Sequence, residues 1–141
     1  MDHVVYLDKK ASEAEKLLYG SKTQIIRGAA GRKLPYGRVF EGDTLYFINN
    51  DGSGKVFARA KVSSVLNSDK LDPQQSAALI KENQPFLQLS DDQIKRWSGK
   101  RYLILVTVER FETLQPFMID RSAYGNMDDW LPVEDIEKVK I

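Results

Sequence analysis

"DTLYFINNDGSGKVFARAKVSSVL", residues 43–66, decides the fold class. Its two flanks are rich in β-branched and aromatic residues, and "DGSG" between them supplies the glycines of a tight reversal. In the second flank Val56, Ala58, Ala60 and Val62 alternate with Phe57, Arg59 and Lys61, the period of two that a half-buried strand requires. The stretch therefore reads as an antiparallel hairpin with one face in the core.

On its N-terminal side, "HVVYL" (3–7) and "KTQIIR" (22–27) read as short strands. Between them "KASEAEKLLYG" (10–20) has helical chemistry, with Ala14, Leu17 and Leu18 on one face and Gly20 as the stop. Downstream, Asp72 with Pro73 makes an N-cap followed by proline at the first helical position, and the helix continues through "QQSAALIKEN" (74–83). A second helix is marked by capping-box spacing at Ser90 and Gln93, hydrophobic-staple spacing at Leu89 and Ile94, and Gly99 at its end. "RYLILVTVERFE" (101–112) is a long core strand, "PFMID" (116–120) suggests another, and "WLPVEDIEKVKI" (130–141) ends the chain with a short element. Because helices do not separate the strands one by one, a doubly wound parallel sheet is disfavoured. The expected class is α+β: a mostly antiparallel β-barrel with flanking helices, in a single domain over residues 1–141.

The chain has no cysteine, which excludes disulfides, thiolate zinc sites and a cysteine nucleophile. Its one histidine, His3, cannot form a His cluster for a transition metal, and it reads as a satisfied or solvent-facing side chain. The adjacent carboxylates at 128–129 and 134–135 read as solvated, so no metal and no cofactor are expected. No apolar run approaches the roughly 20 residues of a membrane span, and the N-terminal residues lack the pattern of a secretory signal. The expected location is cytoplasmic.

The charge is uneven. The whole chain carries 21 basic and 20 acidic residues, yet residues 20–38 hold Lys22, Arg27, Arg32, Lys33 and Arg38 and no acidic residue. Such a segment is a local attractor for anions that the net charge of +1 conceals. Its second part opens "GAAGRKLPYGRVFEGD" (28–43), whose four glycines and one proline predict an irregular excursion. A Walker A loop is excluded, because the positions one and six before Lys22 are Ser21 and Lys16 rather than glycines.

"GSKTQIIR" (20–27) fits the pattern G-x-K-x-x-x-x-R, and "EGDTLYFINNDGSGKVFARAKVSSVL" (41–66) follows it as a Gly-Asp turn and a hairpin with small residues on its second strand. In these blocks and in their order the chain resembles the ASCH family of the PUA-like superfamily. The resemblance is strongest over residues 1–112, leaving 113–141 as a C-terminal extension packed on the barrel. It implies a PUA-like pseudo-barrel with a cleft beside the G-x-K loop that binds RNA or a nucleotide-like anion. Some small members of the family are hydrolases, including acetylcytidine amidohydrolases and a ribonuclease-type member. Lys22 and Arg27 would be the motif's basic pair. Ile25 stands where many members have Glu and the amidohydrolases have Thr, which removes a polar group expected in catalytic relatives. If the protein is an enzyme acting on an acylated nucleoside or on RNA, the resemblance points to Lys22 and to Glu82, from the helical insertion.

The ligand-binding expectation is Lys22 and Arg27 on phosphate or a base edge, Arg32, Lys33 and Arg38 at the mouth of the cleft, and Tyr36 as a stacking ring. For Arg27 a salt bridge to an acidic residue such as Asp43 is the structural alternative. Trp97 reads as packing on the face of Ile94, Trp130 as an anchor for the C-terminal segment, and Tyr124 as a loop aromatic beside Arg121. A third reading of the whole protein is an interaction module whose basic loop docks an acidic protein partner.

Overall fold

The computed structural model describes residues 1–125 and 127–141. In chain order the elements are β1 (Asp2–Leu7), α1 (Glu13–Leu18), β2 (Gln24–Ala29), β3 (Thr44–Asn49), β4 (Lys55–Asn67), α2 (Pro73–Leu87), α3 (Asp91–Trp97), β5 (Tyr102–Met118), β6 (Trp130–Glu134) and a 3-10 turn (Ile136–Lys138). The strands form a six-stranded sheet in the order β2-β5-β4-β3-β1-β6.

The class is α+β, as expected, but the barrel is not closed. The sheet is a half-barrel with β2 and β6 as its edges, and it is mixed, because β1 pairs with β3 in parallel. The chain leaves β1 through α1, places β2 at the far edge of the sheet, and is returned beside β1 by residues 30–43. That crossover makes the parallel pair. The hairpin of β3 and β4 has the expected register, with Val56, Ala58, Ala60 and Val62 buried. β4 and β5 are long and their register shifts between Val56 and Ala58, Arg59 and Lys61, and Val62 and Ser64. Such bulges bend a strand pair and increase its twist, which rolls the sheet.

Several boundaries differ from the sequence expectation. Gly28 and Ala29 belong to β2, paired with Leu103 and Tyr102, so the excursion starts later than residue 28. The separate strand expected at 116–120 is the end of β5, followed by an isolated bridge between Ile119 and Lys140. Leu18 is half exposed, because the short α1 turns only Leu17 and Ala14 toward the core.

Both helix caps form as read. The Asp72 carboxylate accepts from Gln75 N (2.8 Å), and the Ser90 hydroxyl from Gln93 N (3.3 Å), with the Gln side chain answering the cap's own amide in each case. Leu89 and Ile94 share an apolar cluster with Ile26, Leu103, Leu105, Ile80, Leu87 and Trp97, which fixes α2 and α3 against the outer face of β2 and β5. The concave side is filled by Val5, Leu7, Ile25, Leu45, Phe47, Ile104, Val106 and Trp130. Leu131, Val133 and Ile136 pack on Val4, Tyr46, Ile48 and Val56, so β6 and the last turn lie against the hairpin. Among the described residues no helix is long and apolar enough to cross a membrane.

Candidate ligand cavity

β2 and β1 are separated by three strands in the sheet, yet the rolled sheet brings them together: Arg27 NH2 in β2 donates to Tyr6 O in β1 (2.7 Å). A cavity of about 350 Å³ lies at this closure, walled by Tyr6, Asp8, Glu13, Arg27, Arg96, Trp97, Arg121, Asp128 and Asp129, with Asn50, Gln93 and Met127.

Arg27 is buried, and its guanidinium is already engaged. NH1 donates to Ile26 O (2.8 Å) and NH2 to Tyr6 O, while Nε lies 3.2 Å from Asp129 Oδ2 without an aligned hydrogen bond. Its Cζ lies 6.0 Å from the centre of the Trp97 ring and 5.6 Å from that of Trp130. The expected open fork for a phosphate is therefore used on the backbone, and Arg27 reaches the cavity as part of its wall, with Nε buried against Asp129. Its carboxylate partner is Asp129 and not Asp43.

Asp43 serves His3 instead. The Trp130 indole N–H donates to His3 Nδ1 (3.1 Å), so the ring proton is on Nε2 and donates to Asp43 Oδ2 (2.9 Å). Burial lowers the His3 pKa, and the Asp43 bond offsets only part of that effect. The single histidine is a satisfied core residue, and Trp130 pins β6 to β1 through it.

Lys22 is fully inside the protein and is not on the cavity wall, contrary to the expectation of a ligand-facing lysine. Its ammonium donates to Leu87 O (2.5 Å) and lies 3.4 Å from Glu13 Oε2. Burial lowers its pKa to about 8, opposed by Glu13 and assisted by Arg27 and Lys16. The group exposed to the cavity is Glu13, whose other oxygen accepts from Asp8 N (2.8 Å). Lys22 thus stands behind Glu13 and holds it against the wall.

The remaining wall residues interleave cations and rings. Arg96 lies over Trp97 at 4.4 Å, and its NH2 is 3.8 Å from Asp129 Oδ2. Arg121 NH1 donates to the Tyr6 hydroxyl (2.8 Å), its NH2 donates to the carbonyls of Gly125 and Asp128, and its Cζ is 5.3 Å from the Tyr6 ring. Tyr124, on the same loop, packs partly into the cluster under β6.

The other residues singled out in the sequence lie elsewhere. Ile25 points into the core beside Val5 and Ile104. Glu82 is exposed on α2, away from the cavity wall. Arg32, Lys33 and Arg38 are exposed on the excursion and do not line the cavity. Tyr36 is not a free stacking ring: its hydroxyl donates to Ser68 O (2.5 Å), its edge meets Tyr102, and Arg32 covers it. Glu13, Arg96 and Trp97 were absent from the ligand-binding expectation. They come from two short helices far apart in sequence, and Trp97 both packs and faces the cavity. Among the described residues no group of three or more His, Asp or Glu is placed to hold a metal ion.

Neither a protein-family model nor a curated protein matches the chain. Solved structures do. The ASCH protein from Zymomonas mobilis superposes with a TM-score of 0.69 at 16% identity, covering 97% of this chain and 92% of that one. Two mutants of the same protein superpose with the same score, over 94% and 92% of their chains. The fold is that of an ASCH domain. At this identity the likeness concerns the fold, and the cavity's chemistry rests on the side chains described above.

Proposed function

We propose that this ASCH-type domain binds a nucleobase-bearing ligand, a nucleoside or one unpaired nucleotide of RNA, with the base held in the cavity between Tyr6, Arg27 and Trp97. The observation that carries this reading is the composition of the wall. Three guanidiniums (Arg27, Arg96, Arg121) face four carboxylates (Asp8, Glu13, Asp128, Asp129), and the rings of Tyr6 and Trp97 stand between them. A wall with both signs of charge disfavours a polyphosphate at its centre and supplies donors and acceptors together, which is what the edge of a nucleobase needs. Aromatic rings and guanidinium planes are also the surfaces on which bases stack. The volume lies near the lower end of the roughly 300–1,000 Å³ typical of small-molecule pockets, a size for one base and its sugar and not for a longer segment.

Calorimetric titration with the four ribonucleosides tests the proposal. Wild type should bind at least one of them. Trp97→Ala should weaken that binding by about 1–3 kcal/mol, roughly five- to 150-fold, as loss of a stacking ring does. Arg96→Gln, on a half-exposed side chain, tests the same wall without disturbing the core. No binding by wild type, or wild-type affinity in both variants, would refute the proposal. Including N4-acetylcytidine in the series also reports hydrolysis, the alternative activity that the ASCH resemblance raises for the same cavity.

A further inference from the structure

The basic excursion is not part of the cavity, and it does not stand alone. β2 and β4 finish, and β5 begins, at one end of the sheet: Ala29 pairs with Tyr102 and Asn67 with Ile104. The loops there bring Arg32, Lys33 and Arg38 together with Lys70, Lys100 and Arg101, all six exposed. Gly37 N donates to Asn67 Oδ1 (2.9 Å), Leu71 N donates to Arg101 O (2.7 Å), and Lys70 and Arg101 line one hollow. Three carboxylates share this end, Glu41, Asp69 and Asp72, and that of Asp72 is engaged as the cap of α2. Among the described residues none of the six cations forms an ion pair. Arg32 is held by rings instead, 5.9 Å over Tyr36 and 5.5 Å over Tyr102, and those rings meet edge to face. Its N–H donors are thereby positioned without being used.

We infer that this surface grips the phosphate backbone of a single nucleic-acid strand, one base of which enters the cavity. The second half of the statement rests on the proposed function; the first does not. Unpaired cations spread over three loops, with Arg32 fixed on rings, suit a row of phosphates better than one compact anion. The path between the two places is short. Arg96 and Trp97 of the cavity wall lead directly into Lys100 and Arg101, with Lys100 N donating to Trp97 O (3.2 Å). An acidic protein segment is the competing partner. The spread of six cations over three loops matches the regular charge of a phosphate backbone, and the adjacent base-sized cavity favours a nucleic acid.

The test is binding of a fluorescent uridine dodecamer over a salt series, beside titration with the free nucleoside that wild type binds. For wild type, affinity for the oligomer should exceed that for the nucleoside, and log K should fall linearly with log salt. Each phosphate contact to a single strand contributes a slope of about −0.7, so Arg32→Gln with Lys33→Gln and Arg38→Gln should make the slope shallower by about 2. Nucleoside affinity should stay unchanged in that variant, which also checks that it is folded. Lys33→Gln with Arg38→Gln spares the arginine on the rings and should remove about 1.4 of the slope. An unchanged slope in both variants, no salt-dependent binding by wild type, or polyglutamate competing as well as the oligomer would each overturn the inference. If wild type binds no nucleoside while the oligomer slope still responds to the variants, the cavity proposal falls and the backbone-binding surface stands.

Discussion

Lys22 illustrates how a motif residue can act through another. A buried ammonium is costly unless paired, and here Glu13 and the Leu87 carbonyl supply the partners. Lys22→Met leaves the Glu13 carboxylate buried with no counter-charge and should cost about 3–5 kcal/mol, read as a lower urea midpoint at constant slope. Adding Glu13→Leu should recover most of that loss, because removing both charges also removes their desolvation. The pH dependence has a definite sign. Below about pH 8 the folded and unfolded chains both hold the Lys22 proton, and the burial penalty is present in full. Between about 8 and the usual 10.5 the unfolded chain holds more protons, so the Lys22 contribution makes stability rise with pH, by at most about 3 kcal/mol. The double variant should lack that rise. The G-x-K-x-x-x-x-R spacing was legible in "GSKTQIIR", but nothing in it shows whether the lysine faces a ligand or the glutamate nine residues earlier.

At the scale of elements the sequence was most readable where chemistry is local. The capping box of α3, the N-cap and first-turn proline of α2 and the alternation in β4 depend on residues within three of one another, and all are present. Edges between elements were less readable, because pairing partners come from elsewhere in the chain. Gly28 shows this: in sequence it opens a glycine-rich loop, whereas in the sheet it is where β2 touches β5. A Cβ there would lie 2.7 Å from Leu103 Cδ2 and 3.2 Å from both Lys100 Cβ and Tyr102 O. Gly28→Ala should therefore cost about 1–3 kcal/mol through overpacking and speed amide exchange along β2. Gly31→Ala, with nothing within 4 Å, is the control and should be close to neutral in stability. Equal thermal midpoints for the two variants would contradict the argument.

At the scale of the whole molecule, Arg27 closes what the strand order leaves open. The sheet is rolled by its bulges, and one guanidinium links its edge strand to β1 and to Asp129 near the start of β6. Arg27→Met keeps most of the side-chain volume but removes those bonds. Losing hydrogen bonds to a charged group together with a partly buried ion pair should cost about 2–5 kcal/mol. The loss should show in hydrogen exchange as weaker protection of β1 and β2 at Tyr6 and Arg27, while the β3–β4 hairpin keeps its own. Uniform loss of protection across the sheet would mean that Arg27 does not act as a local closure. The same geometry explains the open edges: β2 and β6 are held near one another by side chains and not by a shared ladder, so a half-barrel forms where a closed barrel was expected.

The α+β class, the hairpin, the helix caps, the core periodicity and the uneven distribution of basic charge could be read from the residues in order. Those features arise from interactions over a few residues or from composition, so spacing alone exposes them. Tertiary structure alone decided that Lys22 faces inward, that Arg27 pairs with Asp129, and that Glu13, Arg96 and Trp97 share a wall. It also set Arg32, Lys33 and Arg38 beside Lys70, Lys100 and Arg101 rather than at the cavity. These placements depend on the roll of a six-stranded sheet, which brings together residues up to about a hundred positions apart and leaves no periodic trace in the chain.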